Sequence, residues 1–389
     1  MRRYIARLPE AFKKGDIVLL LLCIVATSFG MAIIASTTNA TSTGALRYLL
    51  LQGLAASAGI VFYVMISAVD TEALTEHRRG LVLLNCFLLL LLIPFGETVS
   101  GNRSWLNFPF LPFNIQPAEV CKITYVLISA SIMAANQNKL SSPKSVFQMG
   151  AHLLLVAGLN WVISGDAGVS LIFVGIFAGM AFSGGVSLLW FGAAIAGVAL
   201  AFPVLWNVIM GDYQRLRIQV LFDPSLDPNG TGPLYQTVRA LRSLTGGGLM
   251  GQGLFQGHRT QTPGALFAQH TDFIFCAIGE ELGFLGCGFV LILLFAIVAR
   301  CIWVGIRSQD TLRRLICFGV ASSLSFQIIV NVGMCVGVMP VIGLTLPFIS
   351  YGASSIFSLY AMLGLVSGIY ARPNATSHER YIRAPLTHI

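Results

Sequence analysis

The chain has 389 residues, of which 56% are apolar and only 10% are charged. A soluble domain carries roughly 25% charged residues, so this composition excludes a water-soluble globule and indicates a membrane protein. The formal net charge of +8 does not indicate a nucleic-acid partner, because the Lys and Arg residues are scattered between apolar stretches and form no basic cluster.

The N-terminal segment is basic and leads into a long apolar run, from Ile17 to Ser36. A transmembrane helix needs about 20 apolar residues, and this run lacks the small-residue cleavage site of a signal peptide. It is therefore predicted to be the first transmembrane helix. The basic residues that precede it are Arg2, Arg3, Arg7, Lys13 and Lys14.

The same length criterion predicts about ten transmembrane helices in an all-α, polytopic bundle that forms a single membrane domain over 1–389. The fifth and sixth are short and are separated only by Gly165 and Asp166, so they are either two helices or one broken pair. The predicted spans are 17–36, 46–68, 81–96, 116–135, 151–164, 167–183, 188–210, 273–299, 314–336 and 345–370.

The distribution of Lys and Arg predicts that both termini are cytoplasmic. With the N-terminus inside, most basic residues fall on the cytoplasmic side, and the short outer loops carry only Arg47 and Arg103. This asymmetry follows the positive-inside rule. The segment 211–272 then becomes one large extracytoplasmic loop, and a long loop in a compact protein is usually functional.

Ionisable residues at membrane depth are costly and are functional candidates. Glu119 and Lys122 lie at i and i+3 in an apolar helix start, so they share one face and can neutralise each other. They are either a structural ion pair that locks two helices or part of a substrate site. Asp166 lies at the glycine-flanked break between the fifth and sixth spans, where it either caps a helix or takes part in the chemistry.

Asp272 follows the polar residues Gln269, His270 and Thr271 and opens the apolar run that starts at Phe273. It is either the N-cap of the next helix or a carboxylate with the raised basicity of a general base. His270 is a loop residue or a supporting partner of that site. Glu280 and Glu281 lie two turns deeper and point about 100° apart, so at most one of them faces a given cavity.

Seven motifs in this order resemble the SEDS family (shape, elongation, division and sporulation), and the resemblance runs from the first span to the last. The motifs are Gln116-Pro-Ala-Glu-Val-Cys-Lys122, Tyr213-Gln-Arg-Leu-Arg217, Phe222-Asp-Pro-Ser-Leu-Asp-Pro228, Gly247-Gly-Leu-Met-Gly251, Gln269-His-Thr-Asp-Phe-Ile-Phe275, Gly279-Glu-Glu-Leu-Gly-Phe-Leu-Gly286, and Leu346-Pro-Phe-Ile-Ser-Tyr-Gly352 with Ser354-Ser355.

The resemblance implies a ten-helix peptidoglycan glycosyltransferase that uses lipid II and works with a class B penicillin-binding protein. Asp272 matches the family's essential aspartate, Glu119 and Lys122 its buried charged pair, and Asp166 its acidic position between the middle spans. The same motifs supply five further candidate substrate-binding residues: His270, Glu280, Ser350, Ser354 and Ser355.

Four short stretches depart from the family pattern and indicate a divergent member. Gly165-Asp-Ala-Gly168 stands where Pro-Asp-Leu-Gly is usual, and Ala353 replaces the second glycine of Gly-Gly-Ser-Ser. Gln252 stands where a lysine is usual, and Arg239-Ala240 replaces Gln-Ser. The changes at Gln252 and Arg239 fall in the loop expected to hold the substrate phosphate, so its contacts there are expected to differ.

The family chemistry implies a single inverting displacement, with Asp272 as general base and a polyprenyl pyrophosphate leaving group. Arg215 and Arg217, together with Lys122, are candidates for binding the pyrophosphate. Mg²⁺ or Mn²⁺ is a further candidate for that role, although no ligand cluster specifies a metal site.

Two other functions remain open from the sequence. A lipid II transporter also uses intramembrane charges and broken helices. A scaffold that only recruits a penicillin-binding protein would leave those charges unexplained. The expected partners of the enzyme are lipid II as substrate, a class B penicillin-binding protein and membrane lipid, with no nucleic acid.

Overall fold

The computed structural model describes residues 14–39, 44–99, 101–108, 113–227, 232 and 234–372. Within these residues, ten helices are long and apolar enough to cross a membrane, which confirms the predicted multi-pass, all-α bundle. Their ranges are Ile17–Thr38, Ala45–Ala68, Arg78–Phe95, Pro117–Ala135, Pro143–Ser164, Ala167–Gly184, Leu188–Val208, Ile274–Arg307, Thr311–Cys335 and Ala353–Ala371. The basic residues at 2–13, 380 and 383 lie outside the described residues.

The elements are labelled here in chain order. The α-helices are α1 (Ile17–Thr38), α2 (Ala45–Ala68), α3 (Thr71–Glu76), α4 (Arg78–Leu90), α5 (Leu92–Phe95), α6 (Pro117–Ala135), α7 (Pro143–Ser164), α8 (Ala167–Gly184), α9 (Leu188–Val204), α10 (Asp212–Phe222), α11 (Tyr235–Gly246), α12 (Ile274–Arg307), α13 (Thr311–Cys335) and α14 (Ala353–Ala371). Strands β1 (Gly96–Val99) and β2 (Asn102–Leu106) form a hairpin, 3₁₀ turns occupy Gln137–Lys139 and Pro224–Leu226, and Leu205–Ile209 is a π-helical turn.

The fifth and sixth predicted spans are two separate helices. The fifth is longer than predicted because α7 already begins at Pro143, behind the cap of Ser142, and its first turns carry polar residues that lower their hydropathy. Helix α7 ends at Gly165 (φ 73°), in the left-handed conformation that glycine adopts without steric cost. Asp166 then caps α8 by accepting a hydrogen bond from the Val169 amide at 3.0 Å.

The tenth predicted span, 345–370, is helical only from Ala353. The residues before it form an irregular stretch that we call the 336–352 segment, which follows α13 and ends at the start of α14. Gly343 (φ 72°) and the non-glycine residue Phe348 (φ 64°) both have left-handed backbone that a helix excludes. Irregular backbone at membrane depth is tolerated only where protein groups satisfy its polar atoms, and the side chains that do so are described below.

Helices α6, α13 and α14 form the centre of the bundle, with 72%, 67% and 89% of their most apolar windows buried. Small residues allow α14 to lie close to α2. A Cβ atom on Gly364 would come within 2.8 Å of the Tyr63 carbonyl oxygen, so only glycine fits this contact. Helix α9, in contrast, has no buried residue and lies at the edge of the bundle.

The β1–β2 hairpin was not predicted from the sequence. It pairs Glu97 with Trp105 and Gly96 with Leu106, and an isolated bridge joins Leu106 to Ile115 just before α6. The hairpin carries Ser104 to the start of α8, where it meets Asp166. A short, two-stranded element is therefore packed over the ends of the transmembrane helices on the side that carries Asp166.

Candidate active site

Asp272 lies in the turn that enters α12, but it is not the cap of that helix. The N-cap residue is Phe273, and no side chain caps the first turn, so the capping interpretation of Asp272 is wrong. The turn is built around Ala268 (φ 46°), whose carbonyl accepts hydrogen bonds from the Thr271 and Phe273 amides at 3.1 and 3.2 Å. This arrangement fixes the backbone on both sides of Asp272.

The carboxylate of Asp272 faces the 336–352 segment. A Cβ atom on Gly343 would lie 3.6 Å from Asp272 Oδ2, so glycine leaves open space beside the carboxylate. Among the described residues, no side chain or amide hydrogen-bonds to this carboxylate. It is therefore held through its backbone, and its oxygens remain available to a substrate.

The pKa of Asp272 is raised to about 6, first because burial disfavours the charged carboxylate and second because the charge of Asp166 repels it. A carboxylate of this kind is ionised at neutral pH but more basic than an ordinary aspartate. General-base catalysis is most efficient when the pKa of the base approaches the working pH.

Two amide side chains on α13 hold the backbone around Asp272. The fully buried Asn331 donates to the carbonyls of Asp272 at 2.8 Å and of Leu344 at 2.5 Å, and so joins the turn to the 336–352 segment. One helical turn earlier, Gln327 donates to the Thr345 carbonyl at 2.9 Å. The carbonyls of Asp272, Leu344 and Thr345 lie outside helices and have no helical hydrogen bond, so these two side chains supply one.

The other end of the 336–352 segment is joined to the same turn. Ser350 donates its hydroxyl to the Thr271 carbonyl at 2.5 Å and accepts from the Leu346 amide at 2.8 Å. The Tyr351 amide donates to the His270 carbonyl at 2.8 Å. Ser350 thus contacts the backbone beside Asp272, whereas its predicted role was contact with the substrate.

Glu119 and Lys122 form an ion pair of 2.8 Å within α6, and both side chains are buried. The pair extends to two other helices. The Ser358 hydroxyl of α14 donates to Glu119 Oε2 at 2.5 Å, and Lys122 Nζ donates to Gln327 Oε1 at 3.5 Å. Through Gln327 the ion pair is therefore connected to Thr345 and to the segment that faces Asp272.

Asp166 has two sets of contacts. Its Oδ1 caps α8, while its Oδ2 accepts from Gln116 Nε2 at 3.3 Å and from the Ser104 hydroxyl at 3.4 Å. Burial raises the pKa of Asp166, and the hydrogen bonds that it accepts offset part of that effect. Ser354 accepts a hydrogen bond from the Gln116 amide at 3.1 Å, so it supports the same contact from α14.

The two arginines of α10 point to different places. Arg217 donates to the Val341 carbonyl at 3.2 Å, two residues before Gly343, so the structure brings it to the segment beside Asp272. Arg215 bends back to the carbonyls of Met210 and Asn207 and forms a 3.6 Å ion pair with Asp212. Only Arg217 therefore reaches this part of the molecule.

Helix α12 is broken at Gly283 (φ 66°, ψ −164°), and the break is filled by the loop 247–262, which we call the glycine loop. The amides of Gln252 and Gly253 donate to the carbonyls of Glu280 and Glu281 at 3.0 and 2.9 Å, and the Phe284 amide donates to the Gly248 carbonyl at 2.9 Å. The short helical segment that follows Asp272 is thus tied to the glycine loop.

Glu280 and Glu281 both bind this loop, which wraps around the break and meets both faces of the helix. Glu280 accepts from the amides of Arg259 at 2.6 Å and Thr260 at 3.2 Å and from the Thr260 hydroxyl at 2.8 Å. Glu281 accepts from the hydroxyl of Ser36 at 2.6 Å and from the side-chain Nε2 of Gln261 at 3.2 Å. The contacts of Glu280 favour an anchoring role over direct substrate contact.

The two departures in the outer loop make local contacts. Gln252 closes the glycine loop by donating to the Gly246 carbonyl at 3.1 Å and accepting from the His258 amide at 2.8 Å. Arg239 donates to the Gly264 carbonyl and stacks on the Tyr235 ring at 4.1 Å. Both side chains therefore stabilise the loop conformation.

Ser355 and the acidic residues complete the candidate set. The Ser355 hydroxyl is buried without a hydrogen-bond partner in the part of the chain that the structure describes.

Among the described residues, no three His, Cys, Asp or Glu side chains group closely enough to hold a metal ion. A divalent cation at Asp272 would therefore take most of its ligands from water, backbone carbonyls and the substrate phosphates.

The sequence interpretation missed the amides Gln52, Gln327 and Asn331. Each is a fully or almost fully buried polar residue inside an apolar span, and Gln327 and Asn331 share one helix face at i and i+4. Gln52 binds the end of the 336–352 segment, donating to the Ser350 carbonyl at 3.2 Å and accepting from the Gly352 amide at 3.1 Å. Their polarity within transmembrane helices was the available signal.

Comparison with known proteins identifies relatives along most of the chain. The family model for FtsW, RodA and SpoVE, described as cell cycle protein, matches residues 16–374. Peptidoglycan glycosyltransferase MrdB of Escherichia coli strain K12 is 32% identical over 316 residues, which cover 80% of this chain and 82% of MrdB. Probable peptidoglycan glycosyltransferase FtsW of Geobacter metallireducens is 31% identical over 375 residues, covering 94% and 97%.

Solved structures have the same fold. A chain of a peptidoglycan synthase complex, described for its structural coordination of polymerization and crosslinking, superposes with a TM-score of 0.77 and 26% identity, over 93% of this chain and 99% of that one. The rod shape determining protein RodA of Thermus thermophilus superposes with a TM-score of 0.68 and 23% identity, over 93% and 98%.

Proposed function

The chain belongs to the FtsW, RodA and SpoVE family, and we propose that it is the peptidoglycan glycosyltransferase that polymerises lipid II on the outer face of a bacterial cytoplasmic membrane. It is a multi-pass membrane enzyme of the SEDS type. The observation that carries the proposed chemistry is the carboxylate of Asp272, held by its backbone, open towards Gly343 and with a pKa raised to about 6.

Asp272 is the general base in this proposal. Its carboxylate takes the proton from the acceptor hydroxyl of one sugar as that oxygen attacks the anomeric carbon of the next. The α-linked bond to the polyprenyl pyrophosphate breaks in the same displacement, so the product linkage is β. The pyrophosphate leaves as an anion and needs no proton, which is why one carboxylate suffices.

The leaving pyrophosphate requires positive charge near the same place. Arg217 is the best-placed cation because it already contacts the segment beside Asp272, and its planar guanidinium can bind two phosphate oxygens. Lys122 is neutralised by Glu119, and Arg215 is engaged at the start of α10. We therefore propose that Arg217 binds the pyrophosphate. Lys122 acts indirectly, through its hydrogen bond to Gln327, which in turn donates to the Thr345 carbonyl.

We also propose that a class B penicillin-binding protein is the partner, because a chain of the same fold is part of a synthase complex that couples polymerization to crosslinking. The expected orientation has both termini in the cytoplasm. In support, successive helices cross the membrane in alternating directions. Followed along the chain in this way, the side opposite Asp272 carries four basic residues at or near helix ends: Arg78, Lys139, Lys144 and Arg307. This charge bias follows the positive-inside rule.

The orientation is tested by cysteine labelling in intact cells, after the native cysteines are replaced. A cysteine at the exposed Leu249 should react with a membrane-impermeant reagent, and one at the exposed Gln309 should not. The reverse pattern would place Asp272 on the cytoplasmic face and would contradict the proposal.

The activity is tested with purified protein, its partner and labelled lipid II in detergent, where no membrane separates two sides. Glycan polymer is expected. The broken helix α12 and the irregular 336–352 segment are also features of transporters, so a lipid II transporter is the second candidate. Absence of polymer, together with lipid II translocation in sealed vesicles, would favour that second candidate.

A further inference from the structure

Three aromatic rings meet beside Asp272, at the end of the bundle where α2 begins. The ring of Tyr48 lies 4.9 Å from the His270 imidazole and 5.0 Å from the Tyr351 ring, and His270 lies 5.8 Å from Tyr351. His270 precedes Asp272 by two residues. We call these three residues the aromatic cluster.

The fold holds the cluster rigidly against the candidate active site. Gln52 lies one helical turn after Tyr48 on the same face of α2, and it binds both the Ser350 carbonyl and the Gly352 amide. Tyr351 is thereby fixed under Tyr48, and its own amide binds the His270 carbonyl. The contacts of Tyr351 and Ser350 with the carbonyls of His270 and Thr271 therefore hold the cluster within two residues of Asp272.

The cluster is also accessible. All three residues are half-buried. Neither tyrosine hydroxyl finds a hydrogen-bond partner in the described part of the chain, and neither is sealed from solvent. Burial lowers the pKa of His270, so its imidazole is neutral at pH 7 and presents an uncharged ring.

Arg47 adds a positive charge at the edge of the cluster. It is exposed, it makes no ion pair within the described residues, and its charge opposes the rise in the pKa of Tyr351 that burial causes. Aromatic residues at a membrane interface often serve as single anchors in the lipid headgroups. Here two of the three rings come from backbone that packs against Asp272, which favours a ligand of the active site.

We propose that the aromatic cluster of Tyr48, His270 and Tyr351 is a subsite that binds a pyranose ring of the glycan substrate next to Asp272, an inference that rests on the proposed function. The face of an aromatic ring carries partial negative charge, and the axial C–H groups of a pyranose carry partial positive charge. Tyrosine offers such a face with few rotatable bonds to immobilise.

The test uses the full-length protein in detergent and a soluble tetrasaccharide of two N-acetylglucosamine–N-acetylmuramic acid repeats, without peptide or lipid. Binding is measured by saturation-transfer NMR and by titration, for the wild type, Tyr48→Phe and Tyr48→Leu. Tyr370→Leu is the matched control, because Tyr370 is also a partly exposed tyrosine that packs on another aromatic ring, that of Trp303, near the far end of α14.

Tyr48→Leu is expected to weaken binding about twofold to twelvefold, the range expected for losing one aromatic contact of about 0.5–1.5 kcal/mol. Tyr48→Phe keeps the ring and should bind as the wild type does, as should Tyr370→Leu. Wild-type binding by Tyr48→Leu would overturn the proposal. An equal loss in Tyr48→Phe would also overturn it, because the hydroxyl and not the ring face would then hold the sugar.

If Tyr48→Leu does not fold, the saturation-transfer measurement on the wild type still tests the subsite. Saturation of the aromatic protons must then reach the ring protons of the tetrasaccharide, and its absence at saturating ligand would overturn the subsite. Lipid II polymerisation is measured on the same preparations. Polymer without ring-dependent binding contradicts the subsite alone, and ring-dependent binding without polymer contradicts the proposed function alone.

Discussion

The side-chain amide of Asn331 donates a 2.8 Å hydrogen bond to the backbone carbonyl of Asp272. Because the same amide also donates to the Leu344 carbonyl, one buried side chain sets the position of the candidate base relative to the segment that faces it. Replacing Asn331 with Leu keeps the approximate volume but leaves two carbonyls without these bonds.

Asn331→Leu is therefore expected to lower kcat for glycan polymerisation by about tenfold or more. A misplaced catalytic group lowers the rate of the chemical step more than it weakens substrate binding. KM for lipid II should change less than kcat. The measurement is the initial rate over a range of lipid II concentrations, next to thermal unfolding. Asn331→Ser, which can restore one donor, should recover part of kcat. If KM alone rose, Asn331 would act on substrate binding and not on Asp272.

Asp272→Asn should abolish polymerisation while the fold and partner binding persist. Asparagine keeps the size of the side chain but cannot accept the proton, so a loss of at least about 10²–10⁴-fold is expected for a general base. The measurement is glycan chain formation from lipid II by the purified variant with its partner. A stable variant that still makes polymer at a near-normal rate would rule out Asp272 as the base and leave Asp166 as the next acidic candidate.

The polymerisation rate should depend on pH through Asp272. Its pKa is raised to about 6, so the rate should rise as pH increases through about 6, where the carboxylate becomes able to accept a proton.

The stability of the fold should depend on pH in the opposite direction. A carboxyl whose pKa is raised on folding stabilises the fold most below its unfolded pKa of about 3.9, and that stabilisation is lost as pH rises through the folded value.

Asp166→Asn provides the control for this pH dependence. The charge of Asp166 is the second cause of the raised pKa of Asp272, so its removal should move the midpoint of the rate profile to lower pH. Asparagine can still cap α8 through Val169. An unchanged midpoint would mean that the two carboxylates do not interact, and a midpoint at higher pH would contradict the electrostatic account.

Glu119 and Lys122 should behave as a coupled pair. Removing one partner leaves an uncompensated buried charge, which typically costs about 3–5 kcal/mol, whereas removing both leaves none. Glu119→Gln and Lys122→Met should each lower the folded yield and the unfolding temperature more than the double variant does. The quantity to measure is the interaction free energy of the double-mutant cycle in detergent. A double variant less stable than either single one would refute the coupling.

Two glycines of the glycine loop allow a matched test of its contact with α12. Gly248 (φ 57°) and Gly251 (φ 81°) both have left-handed backbone, so alanine carries a comparable conformational cost of about 1 kcal/mol at each. A Cβ atom at Gly251 would overlap the Glu281 carbonyl, whereas one at Gly248 meets nothing within 4 Å.

Gly251→Ala should therefore speed hydrogen exchange at the amides of Gln252 and Gly253 and reduce polymerisation, while Gly248→Ala should change both much less. The reason is that the loop and the helical segment that follows Asp272 are bonded to each other across the Gly283 break. Equal effects of the two substitutions would mean that backbone conformation matters here and that the contact with Glu281 does not.

Local sequence patterns were enough to predict the class of protein, the number of transmembrane helices and the positions of most of them. These follow from local properties, because a stretch of about 20 apolar residues must leave water and must satisfy its backbone within itself. The same local logic placed Asp272 at the mouth of a span and Glu119 beside Lys122 on one face. The motifs that resemble the SEDS family also lie within short stretches of chain.

The contacts between residues far apart in the chain could not be predicted from these local patterns. The start of α14 was predicted too early because Leu346, Phe348 and Ile349 are apolar, yet the backbone there is irregular. The carbonyls of Leu344, Thr345 and Ser350 are bound by side chains from α13 and α2. No local pattern reveals that Asn331 would bind Asp272, that Arg217 and not Arg215 would reach Val341, or that Tyr48 would lie against Tyr351. These contacts join residues far apart in the chain, so their partners are fixed by how the helices pack and not by either sequence neighbourhood.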